Sequence, residues 1–531
     1  MSMDVTAHTL RRRTFAVISH PDAGKSTLTE ALALHARAIA QAGAVHGKGS
    51  RRGVVSDWLA MEQARGISIT SAALQFTVGD ITLNLLDTPG HADFSEDTYR
   101  VLSAVDCAVM LLDAAKGLEP QTLKLFEACR VRRTPVITVV NKWDRPGQEP
   151  LALLDEIRDR LGIIPTPVNW PVGVAGDFKG VLDPSTGGMT EFTRTPGGAT
   201  IAGREPLDRE TAARRHDPDW EQAREEFELL VSSGQHHDQG EFLAARTTPV
   251  LFTAAVLNFG VAELLDVLTQ LAPPPTDWTD EAGRPRPVDA PFSGFIFKVQ
   301  TGMDRSHRDR VAFMRVCSGR FERGVVLTHA GTGRPFQTKY AQSVFGRERE
   351  TIDEAFPGDV VGLVNAQSLR VGDTLYADDS VTFPPLPRFT PEHFAVIRSA
   401  DTGRSKQFRR GMDLLDQEGV VQVLVSDRRG AQAPVLAAVG PMQFEVAVHR
   451  LEHEFGARTE LEPLSYSIAR RVESRTVPLV EAKHGTEVLE RSDGTLVALF
   501  TDKWRMSTVA ADLPSGSLLP MFGGNGTEPD G

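Results

Sequence analysis

The sequence predicts three domains in series: an α/β unit built on a parallel sheet, an antiparallel β-barrel and an α+β unit. Three observations carry that reading. Residues 14 to about 162 alternate apolar strand patterns with helix-period patterns, the mark of a parallel sheet with helices on both faces. From Phe292 to Phe383 the chain runs in short β-like pieces separated by Gly294, Gly319, Gly324, Gly331, Gly358 and Gly372, as an antiparallel barrel does. Pro273-Pro274-Pro275 with Gly283 to Pro287, and Phe383-Pro384-Pro385-Leu386-Pro387, then read as linkers between the units. The expected boundaries are 1–272 for the first domain, 288–383 for the barrel, 388–513 for the α+β domain and 514–531 for a flexible tail. A chain of 531 residues is too long for one core and suits about two to four domains.

In the first domain, Phe15-Ala16-Val17-Ile18 reads as a buried strand and Thr27 to Ala40 as a helix. Ser19-His20-Pro21-Asp22-Ala23-Gly24-Lys25-Ser26 joins them. That is the strand–loop–helix setting of a phosphate-binding loop, with Ser19 where the usual first glycine would stand. Backbone N–H groups along Asp22, Ala23, Gly24, Lys25, Ser26 and Thr27, with the positive end of the helix, are expected to face phosphates. Lys25 is expected at the β- and γ-phosphates, and the Ser26 hydroxyl at Mg²⁺.

Ile81-Thr82-Leu83-Asn84-Leu85-Leu86 reads as a second strand, running into Asp87-Thr88-Pro89-Gly90-His91. A carboxylate at a strand end can hold a Mg²⁺-bound water, and a glycine lets its N–H approach the γ-phosphate. Val101 to Asp113 contains a strand and Glu119 to Val131 a helix. Pro135-Val136-Ile137-Thr138-Val139-Val140 is a further strand, followed by Asn141-Lys142-Trp143-Asp144. The Asp144 carboxylate can accept from the N1–H and 2-amino group of guanine, whereas adenine offers no matching pair of donors. Three motifs in this order, each at a strand end, predict GTP rather than ATP and make the first unit an α/β P-loop GTPase domain.

Leu151 to Leu161 is helical in period. Residues of about 162–247 break the rhythm, being rich in Gly, Pro and charge, and read as an insertion with loop-like Ser185 to Gly188 and Thr195 to Gly198. The pattern resumes with strand Pro249 to Phe252 and helix Val261 to Leu271. In the last domain, Val420 to Val425 and Val435 to Val439 read as strands. Met442 to Phe455 reads as an amphipathic helix whose stripe of Phe444, Val448, Leu451 and Phe455 suits core packing. Residues from Pro514 on are Gly-, Ser- and Pro-rich and expected to fray.

Composition narrows the function classes. The apolar fraction is 41%, and no apolar run approaches the ~20 residues that span a membrane. Arg11-Arg12-Arg13 precedes an apolar stretch too short for a signal peptide. Cys107, Cys129 and Cys317 lack metal-ligand spacing and suit core positions in a reducing cytosol. A net charge of −12 excludes a globally basic nucleic-acid binder. Local basic clusters remain: Arg305, His307, Arg308 and Arg310; Arg398, Arg404, Lys406, Arg409 and Arg410; Arg428 and Arg429. By themselves these read as solvated faces.

His91 directly after Asp87-Thr88-Pro89-Gly90, and Asp22 within the phosphate loop, resemble the translational GTPases. In many other GTPases a glutamine takes the place of that histidine. Narrower features resemble the bacterial release factor 3 branch of this elongation-factor-G-like family. Ser56-Asp57-Trp58-Leu59-Ala60-Met61-Glu62 and Arg65-Gly66-Ile67-Ser68-Ile69-Thr70 are similar to its first switch, and Phe94-Ser95-Glu96-Asp97-Thr98-Tyr99-Arg100 to its second-switch helix. His307 to Val316 resembles its barrel domain, and the likeness runs from about Arg13 to about Val472.

The resemblance implies a cytoplasmic, monomeric GTPase that uses GTP/GDP and Mg²⁺, has the ribosome as activator, and displaces stop-codon-reading release factors. It implies Ser68 as a Mg²⁺ ligand from the first switch, Asp87 as one acting through water, and Gly90 N–H as the γ-phosphate sensor. His91 would place the attacking water, either as base or by stabilising negative charge. Asn141 and Asp144 would select guanine while the Lys142 stem stacks along the base, and Trp143 suits packing. In Phe252-Thr253-Ala254-Ala255 the base contact would be Ala255 N–H, with Ala254 at the hydroxyl position. A one-residue shift would use Thr253 and Ala254 instead. The rivals are another ribosomal GTPase (translocation, rescue or ribosome protection) and a non-hydrolysing, nucleotide-gated ribosome-binding module. The room for three domains, without one that imitates tRNA, weighs against the first. Lys25, Ser26, Asp87 and His91 together weigh against the second. A P-loop kinase is discounted by Asn141 to Asp144, and no Gly-Gly-Gln stands in the chain to cleave peptidyl-tRNA.

Overall fold

In the computed structural model a sheet-centred first domain, a barrel-like middle domain and a sheet-centred last domain follow one another. The structure describes residues 2–36, 73–183, 186–193, 201–301, 310–343, 351–386, 389–426, 428–430, 432–514 and 516–521. The first domain opens with α1 (Ser2–Leu10), β1 (Arg12–Ser19) and α2 (Lys25–His35). The expected end of α2 at Ala40 lies outside the described residues. There follow β2 (Ala73–Val78), β3 (Ile81–Asp87), α3 (Ser95–Leu102), β4 (Cys107–Asp113), α4 (Pro120–Arg132), β5 (Val136–Asn141), α5 (Pro150–Leu161) and β6 (Ile164–Pro167). β4 and β5 are buried along their whole length, as strands covered on both faces must be. Proline at the start of α4 and α5 costs no hydrogen bond there, because the first N–H groups of a helix lack intrahelical partners.

The stretch read as an insertion is folded. It forms a four-stranded antiparallel sheet of β7 (Trp170–Val172), β8 (Gly180–Leu182), β9 (Met189–Thr193) and β10 (Gly203–Leu207). After it come α6 (Arg209–His216), α7 (Asp219–Ser232) and α8 (Gln239–Leu243). Strands of three residues are too short to leave a period in the sequence. A Cβ on Gly180 would lie 2.2 Å from Thr190 O, so this glycine serves close strand contact rather than a loop. Residues 194–200, which include Thr195 to Gly198, lie outside the described residues. β11 (Thr247–Phe252) and α9 (Val261–Gln270) complete the domain.

The main sheet has the order β2-β3-β1-β4-β5-β11-β6. β2 is antiparallel to β3, and the other neighbours are parallel. The C-terminal ends of β1, β3, β4, β5 and β11 therefore share one edge, where open α/β sheets hold ligands.

A small ribbon of Trp278–Thr279 and Pro285–Arg286 leads into the barrel. There Ser293–Thr301 and Arg310–Ser318 pair at the centre of a seven-stranded antiparallel sheet around Ile296, Met314, Phe321 and Leu327. Arg310, expected on a solvated face, is 1% exposed. Its guanidinium donates to the carbonyls of Gln367 and Leu369 and to Gln417 of the next domain. Residues 302–309, and with them Arg305, His307 and Arg308, lie outside the described residues.

The last domain is an eight-stranded sheet. Helices Ser405–Glu418 and Met442–His453 share a core with it through Phe408, Met412, Leu415, Phe444 and Leu451, with Val448 and Phe455 packed alongside. Leu518–Leu519, inside the stretch expected to fray, pairs with Ile468–Val472. All three cysteines are free and buried, and burial pushes their thiols up. Among the described residues no helix is long and apolar enough to cross a membrane.

Candidate functional site

The turn from β1 into α2 requires its glycine. Gly24 has φ +99°, and a Cβ there would lie 2.5 Å from Asn141 Nδ2. Asp22 also has positive φ, at 65°, and Asp tolerates that region better than most side chains. The turn aims the N-terminus of α2 at a cavity of about 310 Å³. Ser19, Asp22, Gly24, Lys25, Ser26, Thr27, Gly90, His91, Lys142 and Arg145 are among its lining residues. Lys25 is buried and Ser26 half-buried. A Cβ on Gly90 would stand 3.3 Å from Lys25 Nζ, so the two loops meet at the lysine head.

β3 ends in Asp87, which is 1% exposed and pairs in register with Val17 of β1. Its Oδ1 accepts from Thr88 N–H at 3.0 Å, and the Thr88 hydroxyl donates to Val17 O at 2.6 Å. These bonds fix the carboxylate beside the phosphate loop. Ser26 and Asp87 are hard oxygen donors, a set that suits Mg²⁺, which is commonly held by one or two protein oxygens, water and substrate phosphate. Ser68 lies outside the described residues, as does the whole expected first switch.

The loop after β5 divides its work. Asn141 is 2% exposed. It donates through Nδ2 to Ala23 O at 3.0 Å, and its Oδ1 accepts from Thr253 Oγ1 at 3.2 Å and Ala255 N–H at 3.0 Å. Asn141 thus ties the phosphate loop to the loop after β11, and the Ala255 N–H, expected at the base, also meets Asn141 Oδ1. Thr253 supplies the hydroxyl at this point, and Ala254 N–H donates to Phe259 O. Lys142 has φ +65° and donates to Asp22 O and, at 2.8 Å, to Asp113 Oδ2.

Asp113, at the end of β4, was not singled out from the sequence, because a lone strand-end Asp carries no motif. Burial pushes its carboxyl up, but the Lys142 ammonium and the Ala115 N–H outweigh burial and hold it below its ordinary value. Trp143 is fully buried edge-on to Phe252, with ring centres 4.9 Å apart. That is the packing role expected of it.

Asp144 differs from its neighbours. Its Oδ1 is buried and has no hydrogen-bond partner among the described residues, although a buried acceptor left unpaired is costly. A bound base with two adjacent N–H donors would satisfy it. His91 stands a third exposed, with Nδ1 3.2 Å from Asp93 Oδ1. Among the described residues no cluster of three or more His, Cys, Asp or Glu could hold a metal by itself.

A phosphate loop, a strand-end Asp-x-x-Gly-His and an Asn-Lys-x-Asp loop around one cavity define a GTP-binding domain of the translational GTPase class. Family models agree along the chain. Residues 10–274 match the elongation factor Tu GTP binding domain, 291–378 match elongation factor G domain 2, and 383–510 match the class II release factor RF3, C-terminal domain. Curated relatives named peptide chain release factor 3 are similar over nearly the whole chain. That of Microcystis aeruginosa is 46% identical, covering 98% of this chain and 96% of its own. That of Synechococcus elongatus is 46% identical over 95% and 92%, and that of Gloeobacter violaceus 46% over 93% and 94%. The chain belongs to the peptide chain release factor 3 family, and is a GTP-hydrolysing translational GTPase. A solved structure from Thermus thermophilus shares the fold, with TM-score 0.69 and 20% identity over 92% of this chain and 72% of that one.

Proposed function

We propose that this protein is a ribosome-stimulated GTPase of translation termination that drives the stop-codon-reading release factor off the ribosome. One observation carries the catalytic part: His91, Gly90 and Lys25 line the same cavity. Phosphates of GTP would lie along the N–H groups of Asp22 to Thr27 with Lys25 at their outer end. Ser26, and Asp87 through water, would hold Mg²⁺, whose charge would stabilise the transferring phosphoryl group; Ser68 would join them from the first switch. Asp144 would read guanine, with the Lys142 stem along the base. His91 would place the attacking water, so the protein's share of catalysis is positioning and electrostatics. The family relation supports the ribosome and the stop-codon reader as partners. A cytoplasmic monomer fits that role.

The test is GTP turnover with and without ribosomes. His91→Ala is expected to keep GTP binding and lose roughly 10²-fold or more of the stimulated rate. Asp144→Asn is expected to weaken GTP by roughly 3 kcal/mol and to favour xanthosine nucleotides, since two hydrogen bonds to a charged group are at stake. Wild-type turnover by His91→Ala would remove the assigned role.

A further inference from the structure

The third domain reaches the catalytic histidine through one carboxylate. Asp93 Oδ2 accepts from Met442 N–H at 2.7 Å. Met442 opens helix Met442–His453, so its N–H is one of the donors that a helix leaves unpaired. The helix end also favours a negative charge. The other oxygen, Oδ1, stands 3.2 Å from His91 Nδ1. Phe94 and Val446 pack beside this bridge with Val420 and Met442. Gly440 closes it from the far side: a Cβ there would lie 2.1 Å from Asp93 Cγ. Gly440 is not among the positive-φ glycines, so its backbone would accept alanine. What forbids alanine is the Asp93 carboxylate.

We propose that Asp93 is a positioning residue for His91, and that the docked third domain sets it. The proposal rests on the catalytic reading of His91 given above. A neutral imidazole carries one N–H. In the docked structure the hydrogen bond at Nδ1 comes from Asp93 N–H, at 3.3 Å. That bond needs a bare Nδ1 and therefore puts the proton on Nε2, which becomes a donor toward the attacking water. One competing arrangement exists on the same loop. The Asp93 carboxylate stands 3.2 Å from Nδ1, and turned onto the ring nitrogen it would draw the proton to Nδ1 in a charge-assisted bond. The place of the Asp93 carboxylate decides between the two, and Met442 N–H holds the carboxylate in place. Docking of the third domain thus selects the tautomer of His91 that presents Nε2–H.

Gly440→Ala tests this without touching the nucleotide-binding domain, because the added methyl displaces the Asp93 carboxylate from across the interface. It is expected to lower ribosome-stimulated kcat roughly tenfold or more, with GTP and GDP affinities unchanged. Asp93→Ala is expected to do the same. Combining them should cost no more than Asp93→Ala alone, because the alanine at 440 then has no carboxylate to displace. Nitrogen NMR of the histidines, assigned with His91→Ala, should show the His91 tautomer changing in Gly440→Ala. Wild-type kcat in both single variants, with His91→Ala inactive, would overturn the link while leaving the catalytic role of His91 intact. Additive losses in the double variant, or an unchanged His91 tautomer, would also overturn it. A wild-type rate for His91→Ala would remove the role of His91 and this link with it.

Discussion

Against the barrel, the nucleotide-binding domain buries a set of charged and polar partners. Arg315 is 1% exposed and forks onto both oxygens of Asp106 at 2.8 Å, with a further bond to Ala104 O. Nearby, Asp359 accepts from Arg12, Gln75 and Asn84, and Thr14 donates to Gly358 O. Against the third domain, the same nucleotide-binding domain offers the loop and helix that follow His91. Asp93 meets Met442, and Arg100 donates to Glu418 O at 3.1 Å while holding Glu96. Glu418 in turn pairs with Arg450. One joint is built of buried ion pairs and hydrogen bonds. The other is made of the segment that moves in GTPases when the γ-phosphate is lost.

The comparison breaks first at Arg315. Arg315→Ala leaves Asp106 buried without its cation, which is expected to cost about 3–5 kcal/mol in urea unfolding at neutral pH. Burial already pushes the Asp106 carboxyl up, more than Arg315 pulls it down. A carboxyl raised in the folded state binds more protons there than in the unfolded chain. Its contribution is therefore best below about 3.9, the unfolded value, and declines as pH rises through the folded value. The deficit of Arg315→Ala should accordingly shrink on acidification, and a deficit that grows instead would contradict the buried-pair account.

Arg100→Ala should cost less, about 1–3 kcal/mol. It strands Glu96, which is 6% exposed, and removes one hold on the third domain. Unlike the change at Arg315, it should also lower ribosome-stimulated turnover in molecules that remain folded. Equal effects of both variants on turnover would erase the difference between the joints. Smallest is Gln75→Ala, which removes bonds from Asn84 and Asp359. It should cost about 0.5–1.5 kcal/mol of stability and leave turnover unchanged.

Much of the candidate site was legible because a loop suited to phosphate, metal and guanine dictates residue type over a few adjacent positions. Lys25, Ser26, Asp87, Gly90 and Asp144 all stand in such runs. What was not legible depends on partners distant in the chain. Nothing local shows that Asn141 and Ala255 bond to each other across two strand ends. Asp113 acquires its part only through Lys142. Asp93 acquires its part only when a helix from the third domain arrives at its carboxylate. The same holds for the fold. The long apolar strands of the main sheet announce themselves, whereas β7 and β8 have three residues each and Leu518–Leu519 is a strand only by virtue of Ile468–Val472. Arg310 read as surface because nothing local shows that the carbonyls of Gln367 and Leu369 enclose it.

On the proposed function, GTP on this protein changes how the ribosome holds the stop-codon reader. A ligand shifts such an equilibrium only through different affinity for its states. The direct measurement loads ribosomes at a stop codon with a labelled release factor and follows loss of label after adding this protein with GTP or with GDP. Faster loss with GTP is the result expected. Equal loss with both nucleotides, or translocation of a sense-codon complex without any gain in release-factor departure, would contradict it.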